Sequence, residues 1–214
     1  MQLSGNWAAS VVLSQDGALY IAQFSTAAQT PIYSVVRKVL SNVISTFAGN
    51  GWFAYSGDGG QAADAQFDRP AGMAIDSAGN LFVADSYNNR IRRIAPDGVV
   101  TTVAGSGSGC TTGCTTALSV KDGQAATTAL LYRPTNVAVD AAGNLYLSDA
   151  GHRRIRMVDA NTGLISTDTG TGGWQADGVA AASTNINSPQ DGHTGSGVST
   201  SSRLPNLSRW KAAP

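Results

Sequence analysis

Apolar and β-branched residues fall in short runs between polar turns along the middle of the chain: MAID (73–76), LFVA (81–84), RIRRI (90–94) and VVTTVA (99–104). Each run is too short for a helix and rich in Val, Ile, Thr or aromatics, so each predicts a β-strand. SAGN (77–80) supplies a tight turn between the first two strands. Pro96-Asp97-Gly98 closes a hairpin between the last two, with proline setting φ and glycine free to take a positive φ. Alternation of polar and apolar positions within the strands is imperfect. That predicts a sheet covered on both faces rather than one with a wet face.

The pattern then recurs. RPAGMAIDSAGNLFVADSYNNRIRRI (69–94) lies over RPTNVAVDAAGNLYLSDAGHRRIRMV (133–158) without a gap, at an offset of 64 residues. Arg69/Arg133, Pro70/Pro134, Asp76/Asp140, Gly79/Gly143, Asp85/Asp149 and Arg90/Arg154 coincide. GDGGQAADAQFDRP (57–70) echoes KDGQAATTALLYRP (121–134) at the same offset, and ADGVAAASTNINSP (176–189) echoes it more weakly. A worn copy lies nearer the start, where VVLSQDGALYIAQ (11–23) matches MAIDSAGNLFVAD (73–85) and VVRKV (35–39) stands in place of RIRRI. There Gln23 replaces the aspartate of the other copies.

A four-strand unit repeated along a chain predicts an all-β fold built of antiparallel β-propeller blades. The motif P-x-G-x-A-x-D-x-x-G-N-L-x-V-A-D-x-x-N-x-R-I-R resembles the NHL repeat, and ISTFAGNGWFAYSGDGGQAADAQFDRP resembles the longer linker of teneurin-type and bacterial NHL propellers. The resemblance covers about residues 8–189. It implies blades at about 8–49, 70–105 and 134–170, long connections at 50–69 and 106–133, and a partial connection at 171–189. Residues 190–214 are polar and aperiodic and are expected to form a disordered tail. Three blades fall short of a conventional ring. The chain is then a piece of a longer protein, half of a homodimer, or an open array with bare edges.

The sequence gives 14 acids and 14 Lys+Arg, hence no net charge, which disfavours nucleic acid as a partner for the chain as a whole. Every acid is aspartate, and only Lys38, Lys121 and Lys211 are lysines. A chain so poor in Glu and Lys lacks the residues that clothe helices. Cys110 and Cys114 sit in a Gly/Thr-rich loop without further ligands at metal-site spacing. They read as thiols or a small local disulfide. No apolar run approaches the roughly 18 residues of a membrane span, and MQLSGNWAASVV shows no signal-peptide pattern. Placement outside the cell or in its envelope is what the resemblance implies. Asn206-Leu207-Ser208 fits a glycosylation acceptor.

Candidate chemistry is sparse. DSYNNRIRRI (85–94) carries Arg90, Arg92 and Arg93 beside an acid. The expected role is structural, because it recurs once per blade: Asp85 with Arg90, and Asp149 with Arg154, bracing the turn between the second and third strands. His152 and His193 are the only histidines, so the ligand set of an NHL-like metal-dependent lyase cannot be assembled. His152 is expected to be an exposed turn residue. Without glutamate, the ion site of lactonase-like propellers has no counterpart. GDGG (57–60) lacks the endings of a phosphate or calcium loop. It reads instead as Asp58, and Asp122 in the sister copy, capping short Ala-rich helical turns at about 60–67 and 124–131. No catalytic, cofactor or metal residues are therefore assigned, and no cofactor is expected.

Strand order puts the second-to-third-strand turns and the long connections on one rim. A partner face is expected there, formed by Trp52, Phe53, Tyr55, Tyr87, Asn88, Asn89, His152 and Arg153. The expected function is a non-catalytic binding or scaffold module for a protein or small ligand. The alternatives are a piece of a propeller lyase or hydrolase whose active site lies in other blades, and an RNA-binding surface using Arg90, Arg92, Arg93, Arg153, Arg154 and Arg156.

Overall fold

A computed structural model of the chain describes residues 6–25, 33–109 and 121–170. Twelve strands fall into three four-stranded antiparallel sheets, each paired in sequence order. Blade 1 holds β1 (Asn6–Leu13), β2 (Leu19–Ser25), β3 (Ser34–Leu40) and β4 (Val43–Ala48). Blade 2 holds β5 (Pro70–Ile75), β6 (Leu81–Asp85), β7 (Arg90–Ile94) and β8 (Val100–Ala104). Blade 3 holds β9 (Pro134–Val139), β10 (Leu145–Asp149), β11 (Arg154–Val158) and β12 (Ile165–Thr169). The first strand of blade 2, β5, touches both β1 and β9, so the first strand of each blade lies innermost. The sheets form an arc that does not close.

Covering on both faces explains the imperfect alternation. Every residue of β6 is buried. Leu81 and Val83 enter an apolar cluster with Tyr20, Ala22 and Val36 of blade 1, whereas Phe82 and Ala84 enter a second with Val137, Leu145 and Leu147 of blade 3. Opposite faces of one strand thus serve two interfaces, as the period of two requires. At the hub the inner strands come close. A Cβ added at Gly72 would lie 2.6 Å from Asn136 Cα, so only glycine fits there.

The turns between first and second strands are built by aspartate. Asp76 Oδ1 accepts from Ala78 N at 3.0 Å and Asn80 N at 2.8 Å, and Asp140 repeats this with Ala142 and Asn144. Gly79 and Gly143 take the positive φ that each turn needs.

The Ala-rich connections differ from expectation. Residues 60–67 form turns and isolated bridges, and only Ala126–Thr128 makes a single 3-10 turn. The carboxylates of Asp58 and Asp122 are taken by arginines of the sheets, as described below, and so do not cap a helix. Cys110, Cys114, His193, Asn206 and the whole of 171–214 lie outside the described residues.

Candidate functional site

Connection 50–69 crosses the seam between blades 1 and 2 and is fixed there by one arginine. Arg92 of β7 is fully buried. A β-bulge between Ile91 and Arg92 interrupts the pairing of β7 with β8 and re-aims the side chain. The guanidinium reaches Asp58 Oδ1 at 2.7 Å and Asp85 Oδ2 at 3.3 Å, and donates to the carbonyls of Ser56 (3.1 Å) and Gln66 (3.3 Å). Asp85 in turn accepts from Asp68 N at 2.7 Å and from Asn88 Nδ2 at 2.9 and 3.0 Å. Asn88 Nδ2 also donates to Ala54 O at 2.7 Å.

Blade 3 builds the same assembly 64 residues on. Arg156 is fully buried behind a bulge at Ile155/Arg156 and pairs with Asp122 (2.7 Å) and Asp149 (3.3 Å). Asp149 Oδ1 accepts from Tyr132 N at 2.8 Å, as Asp85 does from Asp68 N. Blade 1 supplies the contrast. Arg37 stands at the position of Arg92 but has Gln23 where Asp85 would be. It is only half-buried, and its Nη1 donates to Thr46 Oγ1 at 2.8 Å.

The two carboxyls on Arg92 are shifted in opposite directions from the ordinary carboxylate value. Burial pushes Asp85 up to about 6, against hydrogen bonds from Asn88 and Asp68 N and the charge of Arg92. Burial also opposes ionisation of Asp58. There, hydrogen bonds from Thr102 and the Tyr55 hydroxyl, with the Arg92 charge, outweigh it and hold the carboxyl below its usual range.

The bracing pairs therefore need correcting. Asp85 and Arg90 are cross-strand partners in the backbone register, as are Asp149 and Arg154. The Asp85 carboxylate nevertheless goes to Arg92 and the Asp149 carboxylate to Arg156. The guanidinium of Arg90 turns to carbonyls, Asn88 O at 3.0 Å and Ser106 O at 2.8 Å, and lies over the Tyr55 ring at 3.6 Å. Arg154 likewise donates to His152 O at 3.3 Å. The outer arginine of each hairpin bonds the turn backbone, while the one two residues further along holds the acid. His152 is a second correction. It is 5% exposed, with Nδ1 at 2.8 Å from Asp149 Oδ2. It fills the place that Asn88 fills in blade 2, where a ring paired to a buried carboxylate cannot face solvent.

The remaining face residues divide into exposed and engaged. Trp52 (66% exposed) and Arg153 stand out to solvent, whereas Tyr55 and Tyr87, each 40% exposed, also carry arginines over their rings. Phe53, Asn88 and Asn89 are half-buried. Phe53 forms an isolated bridge with Phe67, and Asn89 Oδ1 accepts from Arg133 N at 2.9 Å. Asn89 and Arg153 end their short turns in the left-handed conformation.

Two residues outside the expected face lie against one of its members, Tyr87. Arg69 (φ 53°) and Arg133 (φ 50°) are left-handed although each precedes a proline, a combination that costs roughly 1–3 kcal/mol. Their guanidiniums lie over the Tyr87 ring, at 3.9 Å and 4.8 Å from its centroid. The repeat carried the signal for all of these: Arg69/Arg133, Arg92/Arg156 and Asp58/Asp122 each coincide at the 64-residue offset. Among the described residues no three His, Cys or Asp side chains gather as a metal ligand set. No helix among them is long and apolar enough to cross a membrane.

Blades of this kind, stacked by their faces around a hub, define a propeller-type protein. Residues 53–121 match the family model described as the Teneurin NHL domain. Mouse Teneurin-1 is 33% identical over 156 residues, which cover 66% of this chain and 6% of that protein. Mouse NHL repeat-containing protein 3 is 26% identical over 102 residues, or 46% of this chain and 24% of that one. These matches support an NHL-repeat family for this chain. It spans only a small fraction of the length of these relatives. Two solved structures share the fold at a TM-score of 0.51. A calcium-binding protein, regucalcin, from Agrobacterium tumefaciens is 17% identical, covering 79% of this chain and 48% of that one. An auxiliary nutrient binding protein from Bacteroides thetaiotaomicron is 21% identical, covering 74% and 37%.

Proposed function

We propose that this chain is a non-catalytic NHL-repeat binding module that engages a protein or small ligand through the rim bearing Trp52, Tyr55 and Tyr87. The observation that carries this reading is the division of labour on that rim. Asp58 and Asp85 are both taken up by Arg92, which leaves aromatic and guanidinium groups prominent on that rim. Exposed aromatic and arginine side chains on a rigid scaffold are the usual anchors of binding surfaces. The opposite rim is made of tight turns whose aspartates are satisfied by their own backbone.

A peptide-display selection on the full chain tests the reading. Enriched peptides should lose binding to a Trp52→Ala/Tyr87→Ala double variant and keep it on a Pro96→Ala/Asp97→Ala variant of the other rim. Peptides that bind all three proteins equally would overturn it.

A further inference from the structure

We propose that Arg69, Tyr87 and Arg133 form a recognition site for carboxylate side chains of an acidic peptide segment in a partner protein. This rests on the reading of the rim given above and specifies its ligand chemistry. Three independent features converge here.

The first is backbone strain in a repeated place. Both arginines precede proline, where left-handed backbone is sparsely populated, and both adopt it. Each is held there by the turn region of the preceding blade: Arg69 N donates to Ser34 Oγ at 3.2 Å and Arg133 N to Asn89 Oδ1 at 2.9 Å. Strain kept by surrounding contacts is characteristic of sites that aim a side chain.

The second is a fixed platform. Tyr87 N donates to Asp68 O at 3.1 Å, which ties the base of the ring to the residue before Arg69. Arg69 and Arg133, from the starts of two different blades, converge on this one ring.

The third is unspent charge. The guanidiniums of Arg92 and Arg156 are satisfied by buried carboxylates. Among the described residues neither Arg69 nor Arg133 has a carboxylate within ion-pair distance. Asp68, the sequence neighbour of Arg69, is half-buried, and burial raises its pKa, with Arg69 pulling it back. Two like charges held against one ring repel each other, and a carboxylate bound to their N–H edges relieves that repulsion. A guanidinium resting on a ring by its face keeps its N–H edge free for the planar fork of a carboxylate.

A carboxylate peptide fits better than a nucleic acid. The chain has no net charge, and Asp64 and Asp68 share this connection and would interrupt a continuous phosphate track.

Fluorescence anisotropy at low salt is the test. The probes are a labelled peptide with adjacent glutamates, its glutamine counterpart and a labelled oligo-dT. The glutamate peptide should bind the full chain about tenfold or more tightly than the glutamine peptide, with a similar loss in Arg69→Gln/Arg133→Gln and none in Arg93→Gln. Equal binding of the two peptides, an unaffected double variant, or absence of binding would overturn the proposal. Tighter binding of oligo-dT would overturn it in favour of phosphate. Should the double variant lose its fold, competition of the glutamate peptide by free glutarate on the unaltered chain decides instead. Displayed peptides that need Trp52 and Tyr87 but carry no acids would leave the binding module standing and overturn the carboxylate site alone.

Discussion

Asp85 and Asp149 show how one position can keep its role while its partner changes type. Both are fully buried acids on a fully buried arginine, but the residue three places on is Asn88 in one blade and His152 in the other. Each presents a nitrogen to the carboxylate, so the blades should tolerate the exchange. His152→Asn is expected to change stability by less than about 1 kcal/mol, whereas His152→Ala leaves a carboxylate oxygen short of a partner and should cost about 1–3 kcal/mol. Urea midpoints of the two variants check this, and equal losses would contradict it. The pH dependence follows from Asp85. Its folded pKa is raised, so the folded chain binds this proton more tightly than the unfolded one. Its ionisation therefore opposes folding above about pH 6, and the penalty fades as pH falls towards the ordinary carboxylate value. Asp58 acts oppositely: its contribution is present above that value and is lost as pH falls through its lowered folded pKa. A carboxyl NMR titration should show one signal with a midpoint near 6 that is absent from Asp85→Asn. A midpoint at or below the ordinary value would mean that Arg92 outweighs burial.

Elements were legible where local chemistry sets them. The strands expected at 81–84, 90–94 and 99–104 are found at Leu81–Asp85, Arg90–Ile94 and Val100–Ala104, because β-branched runs between turn residues leave few other arrangements. The connections were misread for a physical reason. Ala-rich stretches have helix propensity, but Asp58 and Asp122 are captured by arginines from strands 34 residues further on. No local pattern reveals such a long-range pair. Register alone also pointed to Arg90 as the partner of Asp85, since it does not show that a bulge before Arg92 turns that side chain inward. Of the face residues expected from the sequence, Trp52, Tyr55 and Tyr87 are exposed. The left-handed backbone of Arg69 and Arg133 was not legible, because nothing local demands it of an arginine before proline, although the repeat marks both positions. Arg92 is thus the latch between a blade and the connection feeding it. A buried ion pair is a weak source of net stability, but removing one partner strands a charge. Arg92→Ala should cost about 3–5 kcal/mol. It should also release the connection, seen as faster hydrogen exchange at Gly59 N, which donates to Val100 O at 2.8 Å. Unchanged exchange there would show that the connection is held without the latch.

At the scale of the molecule, the same sheet positions have different surroundings in successive blades. Ala74, Phe82, Ala84 and Ile91 of blade 2 are buried against blade 3. Their counterparts in blade 3 are Ala138, which is exposed, and Tyr146, Ser148 and Ile155, which are half-exposed. At the other end of the arc, Val11 is 55% exposed although Met73, its counterpart in blade 2, is 6% exposed, and Leu13 and Ile44 are 65% and 54% exposed. Among the described residues these two blade faces are less covered than their counterparts, one of each kind, and exposed apolar groups on such faces favour association. A second copy offers the complementary face at each end. The contact is heterologous, first face on last, and a two-fold arrangement uses it twice. In solution the chain of residues 1–214 is therefore expected to dimerise, giving about 44 kDa by light scattering against 21.9 kDa for one chain, with the fraction rising with concentration. Val11→Lys with Ile44→Lys charges the first face without touching either core cluster and should return the chain to a monomer. A wild-type chain that stays monomeric across the accessible concentration range would show that these faces do not recognise one another.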